Sequence, residues 1–170
     1  NPIPCANIDK VSQAVANDQR HADAPDCIKY EDYVKTGGYQ LAKNIADGSL
    51  DKETVLTTLE DSGLRGLGGA GFPAGRKWRI VGDQPAPRIM AVNIDEGEPG
   101  TFKDRYYLER DPHRFFEGML IAAQVVGTDA IYIYLRDEYA GIRKSMAEEL
   151  DKLHANPPVE LPHIELRRGA

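Results

Sequence analysis

Six glycines fall between Gly63 and Gly75. Glycine weakens helices and strands alike and tolerates positive φ, so no regular element runs through that stretch. The chain must break there, with one element ending near Gly63 and the next starting beyond Phe72. Backbone N–H groups also come close to a ligand where no Cβ intervenes, so the same segment suits a binding loop. Phe72, Pro73, Arg76, Lys77 and Trp78 close it. Taken alone, the glycines fit a plain surface loop as well.

The surroundings sharpen this. Gly66, Gly68 and Gly71 satisfy G-x-G-x-x-G, but a dinucleotide fingerprint needs a strand before the first glycine and a helix after the last. The preceding run, Glu53 to Leu64, reads as a helix: Val55, Leu56 and Leu59 have helical spacing, Ser49 is a candidate N-cap and Gly63 a C-terminal cap. The next helix starts late, near Pro73. The context therefore argues against an ordinary Rossmann site. A second loop, Asn93 to Thr101, holds Asp95, Glu96 and Glu98, with no Lys or Arg between Arg88 and Lys103. Such carboxylates accept hydrogen bonds from ribose or ribityl hydroxyls and from ring N–H groups. Arg88 to Val92 reads as a short buried strand ending at Asn93. The acidic loop then lies at the C-terminal end of a strand, where ligands bind in open α/β sheets. Together the two loops suggest a site for a large polar cofactor that is partly phosphate.

Residues 1–28 contain Pro2, Pro4 and Pro25 and one weak helical patch from Val11 to Ala16, and read as a linker or arm. Short helices follow from Tyr30 to Thr36 and from Tyr39 to Ala46, stopped by Gly37-Gly38 and Gly48. Asp104 to Arg110 reads as a polar helix. Asp111 can cap a longer one with Pro112 in its first turn. That helix carries Phe115, Phe116, Met119, Leu120, Ala123 and Val126 and stops at Gly127. Ala130 to Leu135 is the strongest strand signal. Glu138 to Leu153 is a periodic helix with Tyr139, Ile142, Met146, Leu150 and Leu153 on one face. Glu138, Arg143, Lys144, Glu148, Glu149 and Lys152 read as its solvated face, with Glu148–Lys152 as an i,i+4 pair. Three prolines then lead to a last strand from Ile164. Alternating strands and helices predict an α/β chain with a largely parallel sheet.

The net charge of −6 and pI near 5.2 argue against a nucleic-acid surface. No run of 18 apolar residues appears. Cys5 and Cys27 lack C-x-x-C spacing and read as free thiols of a reducing compartment. His21, His113, His154 and His163 are scattered, so no metal site is expected, and His113 reads as a helix-start residue. The chain opens at Asn1 without a charged-then-apolar leader. Its last residues read as a strand entering a glycine turn. It therefore reads as incomplete at both ends, without a secretory signal.

The two loops resemble the signature of the family of NADH-binding flavoprotein subunits. Its members are the flavin subunit of respiratory NADH:quinone oxidoreductase, the diaphorase subunit of NAD-reducing hydrogenases, and the beta subunit of NAD-dependent formate dehydrogenases. The family loops read G-L-R-G-R-G-G-A-G-F-P-x-G-x-K-W and N-x-D-E-G-E-P-G-T, and this chain matches from Gly63 to Trp78 and from Asn93 to Thr101. Leu67 departs from the family's arginine. That leucine, with Ala74 to Trp78 and Tyr107 to Phe115, resembles the formate dehydrogenase branch most. The resemblance runs from about Tyr30 to the end of the chain. It implies a Rossmann-like FMN-binding domain, of which residues 29–170 are the N-terminal portion.

The same resemblance implies roles for named residues. Gly66, Leu67, Gly68 and Gly69 match positions lining FMN and NAD, and Lys77 a lysine at the flavin. Asn93, Asp95 and Glu96 match flavin-binding positions, and Glu98 an acidic residue on the nicotinamide side. Phe72 matches a phenylalanine that stacks on adenine, while Ile80 replaces a second stacking aromatic. No catalytic acid or base and no metal ligand is expected, because the cofactors carry the chemistry. The implied protein is a cytoplasmic oxidoreductase subunit passing electrons between NAD(H) and iron–sulfur clusters through FMN. A [4Fe–4S] cluster is expected beyond this span. The implied partners are a molybdenum- or tungsten-containing formate dehydrogenase alpha subunit and a small iron–sulfur gamma subunit. The alternatives are a respiratory or hydrogenase-linked flavin subunit and, in another class, an assembly module without flavin.

Overall fold

A computed structural model of the chain describes residues 26–67 and 69–169. Cys5, His21 and most of the expected arm lie outside the described residues. Two short helices come first, α1 (Tyr30–Lys35) and α2 (Gln40–Ala46). The helix expected before the glycine loop is α3 (Lys52–Asp61). Its cap is Asp51 and not Ser49: Asp51 accepts the Thr54 N–H at 2.8 Å and the Thr54 hydroxyl at 2.6 Å. Ser49 instead closes the turn after α2, where its N–H donates to Asp47 at 2.9 Å. Two cap-competent side chains stood close together, and the one whose oxygen reached the third residue on took the role.

α4 (Ala74–Gly82) follows the glycine loop and leads into β1 (Ile89–Ile94). Then come α5 (Lys103–Leu108), α6 (Pro112–Val126), β2 (Ala130–Leu135), α7 (Ala140–Ala155) and β3 (His163–Arg168). Asp111 caps α6 by accepting the Arg114 N–H at 3.1 Å, and Gly127 ends it at φ +73°. Both follow the sequence expectation.

The three strands form one parallel sheet in the order β1-β2-β3, which makes the fold α/β. β1 pairs with β2 from Ile89↔Ala130 to Ile94↔Leu135, and β2 with β3 from Ala130↔His163 to Leu135↔Arg168. Helices α5 and α6 connect the first pair and α7 the second. In a parallel sheet every strand ends at the same edge. The acidic loop after Ile94, the turn after Leu135 and Gly169 therefore all start from one edge. The core lies against β2, whose Ile131, Ile133 and Leu135 are fully buried under Phe116, Leu120, Met146 and Leu153. β1 was expected to be buried, yet Ile89 is 62% exposed. Among the described strands β1 has one neighbour only, so alternate side chains remain uncovered.

One polar seam runs through this core, and it corrects two expectations. Glu149 was placed on a solvated helix face but is 1% exposed. His113, read as a helix-start residue, does sit in the first turn of α6, but wholly buried. The His113 Nε2 lies 2.8 Å from Glu149, and its Nδ1 lies 2.7 Å from the Tyr39 hydroxyl. Glu149 also accepts from the Tyr30 N–H at 3.2 Å and pairs with Lys29 at 3.0 Å and Lys152 at 3.2 Å. Lys152 thus pairs with Glu149 and Glu31, in place of the expected Glu148. Burial alone would raise the Glu149 carboxyl. Hydrogen bonds from His113, Lys29, Lys152 and the Tyr30 backbone outweigh it and hold the group at about 2. Burial pushes the His113 imidazole down, against the pull of Glu149. The consistent arrangement is a neutral ring that donates from Nε2 to a carboxylate and accepts the Tyr39 hydroxyl at Nδ1. Tyr39 is held at φ +64°, a conformation that bulky side chains rarely adopt, with its N–H donating to Glu117 at 2.9 Å. The seam ties α1 and α2 to α6 and α7.

Candidate functional site

The glycine loop is closed at its neck. The Gly66 N–H donates to the Phe72 carbonyl at 3.0 Å, the Ala74 N–H to Leu64 at 2.8 Å, and the Arg65 guanidinium to the Gly71 carbonyl at 3.0 Å. The tip stands clear, with Leu67 96% exposed and Gly66 and Gly69 exposed beside it. Gly68 lies outside the described residues.

The glycines divide by what they do for the fold. Gly63 and Gly71 have φ of +67° and +65°, which side-chain-bearing residues resist. At Gly75 a Cβ would come within 2.5 Å of Glu60 Cγ and 2.7 Å of the Glu60 N, so glycine there lets α4 press against α3. Arg79 then clamps the same pair, bonding Glu53 at 2.8 and 2.9 Å and Glu60 at 3.0 and 3.1 Å. Those bonds hold both carboxyls below their ordinary range. Gly66 and Gly69 have neither reason: their φ is not positive, and a Cβ would meet nothing within 4 Å. The same is true of Gly97 in the acidic loop. Their backbone is open to solvent, which leaves room for a molecule to lie directly against it.

Each loop carries exposed side chains of its own beside its open glycines. Phe72 is 46% exposed, with the Arg76 guanidinium 5.8 Å from its ring centroid. Lys77 is exposed on α4, as is Ile80 one turn on. In the acidic loop, Asn93 Oδ1 accepts the Asp95 N–H at 2.8 Å, and the Gly97 N–H donates back to the Asp95 carbonyl at 2.9 Å. Asn93, Asp95 and Glu98 are exposed.

Glu96 is the exception, at 4% exposure. Its carboxylate accepts the N–H of Asp104 at 3.0 Å, the N–H of Arg105 at 3.3 Å and the Tyr139 hydroxyl at 3.1 Å. The four polar residues of this loop therefore split, three facing solvent and one turned inward to cap α5. Among the described residues no hydrogen bond joins the two loops. Two residues that sequence reasoning passed over complete the second: Arg136, whose Nη1 donates to the Glu96 carbonyl, and Tyr139. A signal was present, because Arg136 to Tyr139 follow the end of the strongest strand, on the ligand-binding edge of such sheets.

The groups that the two loops expose suit a polar, partly anionic molecule rich in hydroxyls. Open amides and Lys77 suit phosphate, the outward carboxylates suit hydroxyl or ring N–H donors, and Phe72 offers a stacking face. Among the described residues no group of His, Cys, Asp and Glu could hold a metal ion, and no helix is long and apolar enough to cross a membrane.

Residues 59–170 match the sequence model of a family described as the Nuo51 FMN-binding domain. An NADH-quinone oxidoreductase subunit of Rhizobium meliloti is 39% identical over 138 residues, which cover 81% of this chain and 32% of that protein. The 51 kDa subunit of the mitochondrial NADH-ubiquinone oxidoreductase of Neurospora crassa is 36% identical over 154 residues, 79% of this chain and 31% of that one. The NAD-reducing hydrogenase HoxS subunit alpha of Cupriavidus necator is 46% identical over 105 residues, 61% of this chain and 17% of its own length. Among solved structures, an NAD+-reducing [NiFe]-hydrogenase in the H2-reduced state superposes with a TM-score of 0.68 at 29% identity. The match covers 99% of this chain and 31% of that one. The chain thus spans about a third or less of the length of these relatives.

Proposed function

The chain belongs to the Nuo51 FMN-binding domain family, and on that premise we propose that residues 63–101 form the first part of a site for FMN and NAD(H). The parent protein, on this reading, is an oxidoreductase subunit exchanging electrons between NAD(H) and iron–sulfur clusters. The observation that carries the reading is the set Gly66, Gly69 and Gly97, glycines that neither backbone angle nor packing requires. They fit a planar, phosphate-bearing cofactor laid against the main chain.

The side chains have distinct tasks here. Lys77 would pair with an anionic group of the cofactor, and the exposed Asn93 and Asp95 would bond its hydroxyls or ring N–H groups. Leu67 would line the cofactor from the exposed loop tip, and the resemblance gives Gly68 a lining role too. Glu98 would face the nicotinamide and Phe72 would stack on adenine, with exposed Ile80 giving a weaker second face. Glu96 would act indirectly, by fixing the loop that carries the others. FMN, when bound, supplies the conversion between hydride and single-electron chemistry. The protein's part is to bind and orient, with no side chain moving a proton.

The finer reading is a cytoplasmic, NAD-dependent formate dehydrogenase, whose partners would be the molybdenum- or tungsten-containing alpha subunit and the small gamma subunit. A [4Fe–4S] cluster would lie outside the span given. Leu67 and the run Tyr107 to Phe115 support it. The names of the similar proteins favour a second reading, a flavin subunit of NADH:quinone oxidoreductase or NAD-reducing hydrogenase.

The test is NADH oxidation by the full-length protein with an artificial acceptor. Phe72→Ala should raise KM for NADH about fivefold, the equivalent of about 1 kcal/mol of lost stacking. Glu98→Gln should weaken nicotinamide binding and leave flavin content intact. An unchanged KM in the first, or lost flavin in the second, overturns the division of the site. In the purified complex, formate-dependent reduction of NAD+ supports the formate branch, and activity only with hydrogen or quinone overturns it.

A further inference from the structure

Two side chains outside the acidic loop grip it through a single residue. Arg136 follows β2 directly, and its N–H donates to the Ile94 carbonyl at 3.2 Å, extending the sheet to the point where the loop begins. The end of β3 backs this position. The Gly169 N–H donates to the Leu135 carbonyl at 2.6 Å, and a Cβ on Gly169 would lie 2.9 Å from Arg136 Cα. The Arg136 guanidinium donates to the Glu96 carbonyl and takes a two-pronged grip on Glu138 at 2.7 and 3.0 Å. It also lies 5.1 Å from the centre of the Tyr139 ring. Tyr139 is buried, and its hydroxyl donates to the Glu96 carboxylate at 3.1 Å. Arg136 thus holds Glu96 at its main chain, and Tyr139 adds a third hydrogen bond to a carboxylate that the Asp104 and Arg105 N–H groups also hold, with the Lys103 ammonium 3.9 Å away. Asp95 precedes Glu96 by one position and Glu98 follows by two, and both are exposed.

We propose that Arg136 and Tyr139 are positioning residues of the cofactor site, fixing the acidic loop through Glu96 so that Asp95 and Glu98 face the cofactors. The inference rests on the reading of this loop as part of the FMN and NAD(H) site. Burying Glu96 turns its consecutive neighbour Asp95 outward, and the tight turn closed by the Gly97 N–H on the Asp95 carbonyl at 2.9 Å separates Glu98 from the buried carboxylate. A second contribution is electrostatic: Arg136, although paired with Glu138, and Lys103, 3.9 Å from the Glu96 carboxylate, both bring positive charge beside three carboxylates. A contrasting ion pair starts from the same edge. Arg168 bonds Asp137, at 2.7 Å for its Nη2, a residue outside the loop.

The test uses the full-length protein, stripped of flavin and titrated with FMN by fluorescence quenching. Wild type is compared with Arg136→Gln, Arg136→Lys, Tyr139→Phe and Arg168→Gln. Arg136→Gln should weaken FMN binding about tenfold, the scale of one lost hydrogen bond from a charged group. Arg136→Lys, which restores the charge, should recover part of that loss. Tyr139→Phe keeps the buried ring and should weaken binding about threefold or more. At saturating FMN both Arg136→Gln and Tyr139→Phe should raise KM for NADH more than they lower kcat. Arg168→Gln should bind FMN as wild type does. If Arg136→Gln fails to fold, Tyr139→Phe decides. Wild-type protein that binds no FMN would overturn the reading of the site itself. Tight wild-type binding with Arg136→Gln and Tyr139→Phe indistinguishable from it would leave that reading standing and overturn the positioning role. An Arg168→Gln loss as large as that of Arg136→Gln would overturn it too, by pointing to general weakening of the sheet edge.

Discussion

Glu149 and His113 show how one buried residue pair couples stability to pH. The carboxyl is held at about 2 against an ordinary 4.5, so its contribution is present above 4.5 and is lost as pH falls towards 2. Burial lowers His113 from 6.5, so the folded state takes up fewer protons than the unfolded chain below that value. Both groups therefore make the fold less stable as pH falls, His113 by a cost that appears below 6.5 and Glu149 by a contribution that is lost below 4.5. The thermal midpoint of the full-length protein should begin to fall below about pH 6.5 and continue falling through the carboxylate range. Glu149→Gln should cost about 2 kcal/mol at pH 7 and flatten the decline below pH 4.5. A variant with the wild-type midpoint and the wild-type acid profile would contradict this. Both residues were legible in principle. Glu149 lies seven positions after Ile142 and three after Met146, on the apolar stripe of α7. His113 is likewise in step with Phe116 and Leu120. Reading charge as solvation hid that, because the cover over Glu149 comes from Lys29 and Tyr30, far away in sequence.

At the scale of elements, α3 and α4 are the supports from which the glycine loop hangs. α3 has no buried residue of its own; it touches α6, and its fuller contact is with α4, through the Gly75 approach and the Arg79 clamp. Gly75→Ala makes a sharp test because two effects oppose each other. Helix propensity alone would stabilise α4 by about 1 kcal/mol. The added Cβ, however, meets the Glu60 backbone at 2.7 Å, which forces the helices apart and should cost about 2 kcal/mol. The expected result is a lower denaturation midpoint with faster hydrogen exchange over residues 63–73. A raised midpoint would show that the helices are not in close contact there. The apolar run Ala130 to Leu135 and the Asp111-Pro112 start of α6 were plain from sequence, since each is a local signal. The cap of α3 was misjudged between Ser49 and Asp51, and β1 was taken as buried because its residues are apolar, although burial depends on neighbours that no local pattern encodes.

For the molecule as a whole, the parallel sheet gathers the acidic loop, Arg136 to Tyr139 and Gly169 at one edge. The candidate site was legible in two long motifs, because its glycines and carboxylates are dictated by what they would hold and less by the fold. What the motifs could not reveal was the split within them: Glu96 turned inward while Asn93, Asp95 and Glu98 face out, and Gly75 serving packing while Gly66 and Gly69 stay open. Those differences arise from contacts with α3, α5 and Tyr139, which lie outside the motifs or in their tertiary surroundings. These loops are proposed to hold a flavin by non-covalent contacts alone. Denaturing the purified full-length protein and identifying the released chromophore by absorbance and mass checks this. FMN, released without proteolysis, is the expected result. Absence of flavin, or flavin that stays attached to the denatured chain, would contradict it.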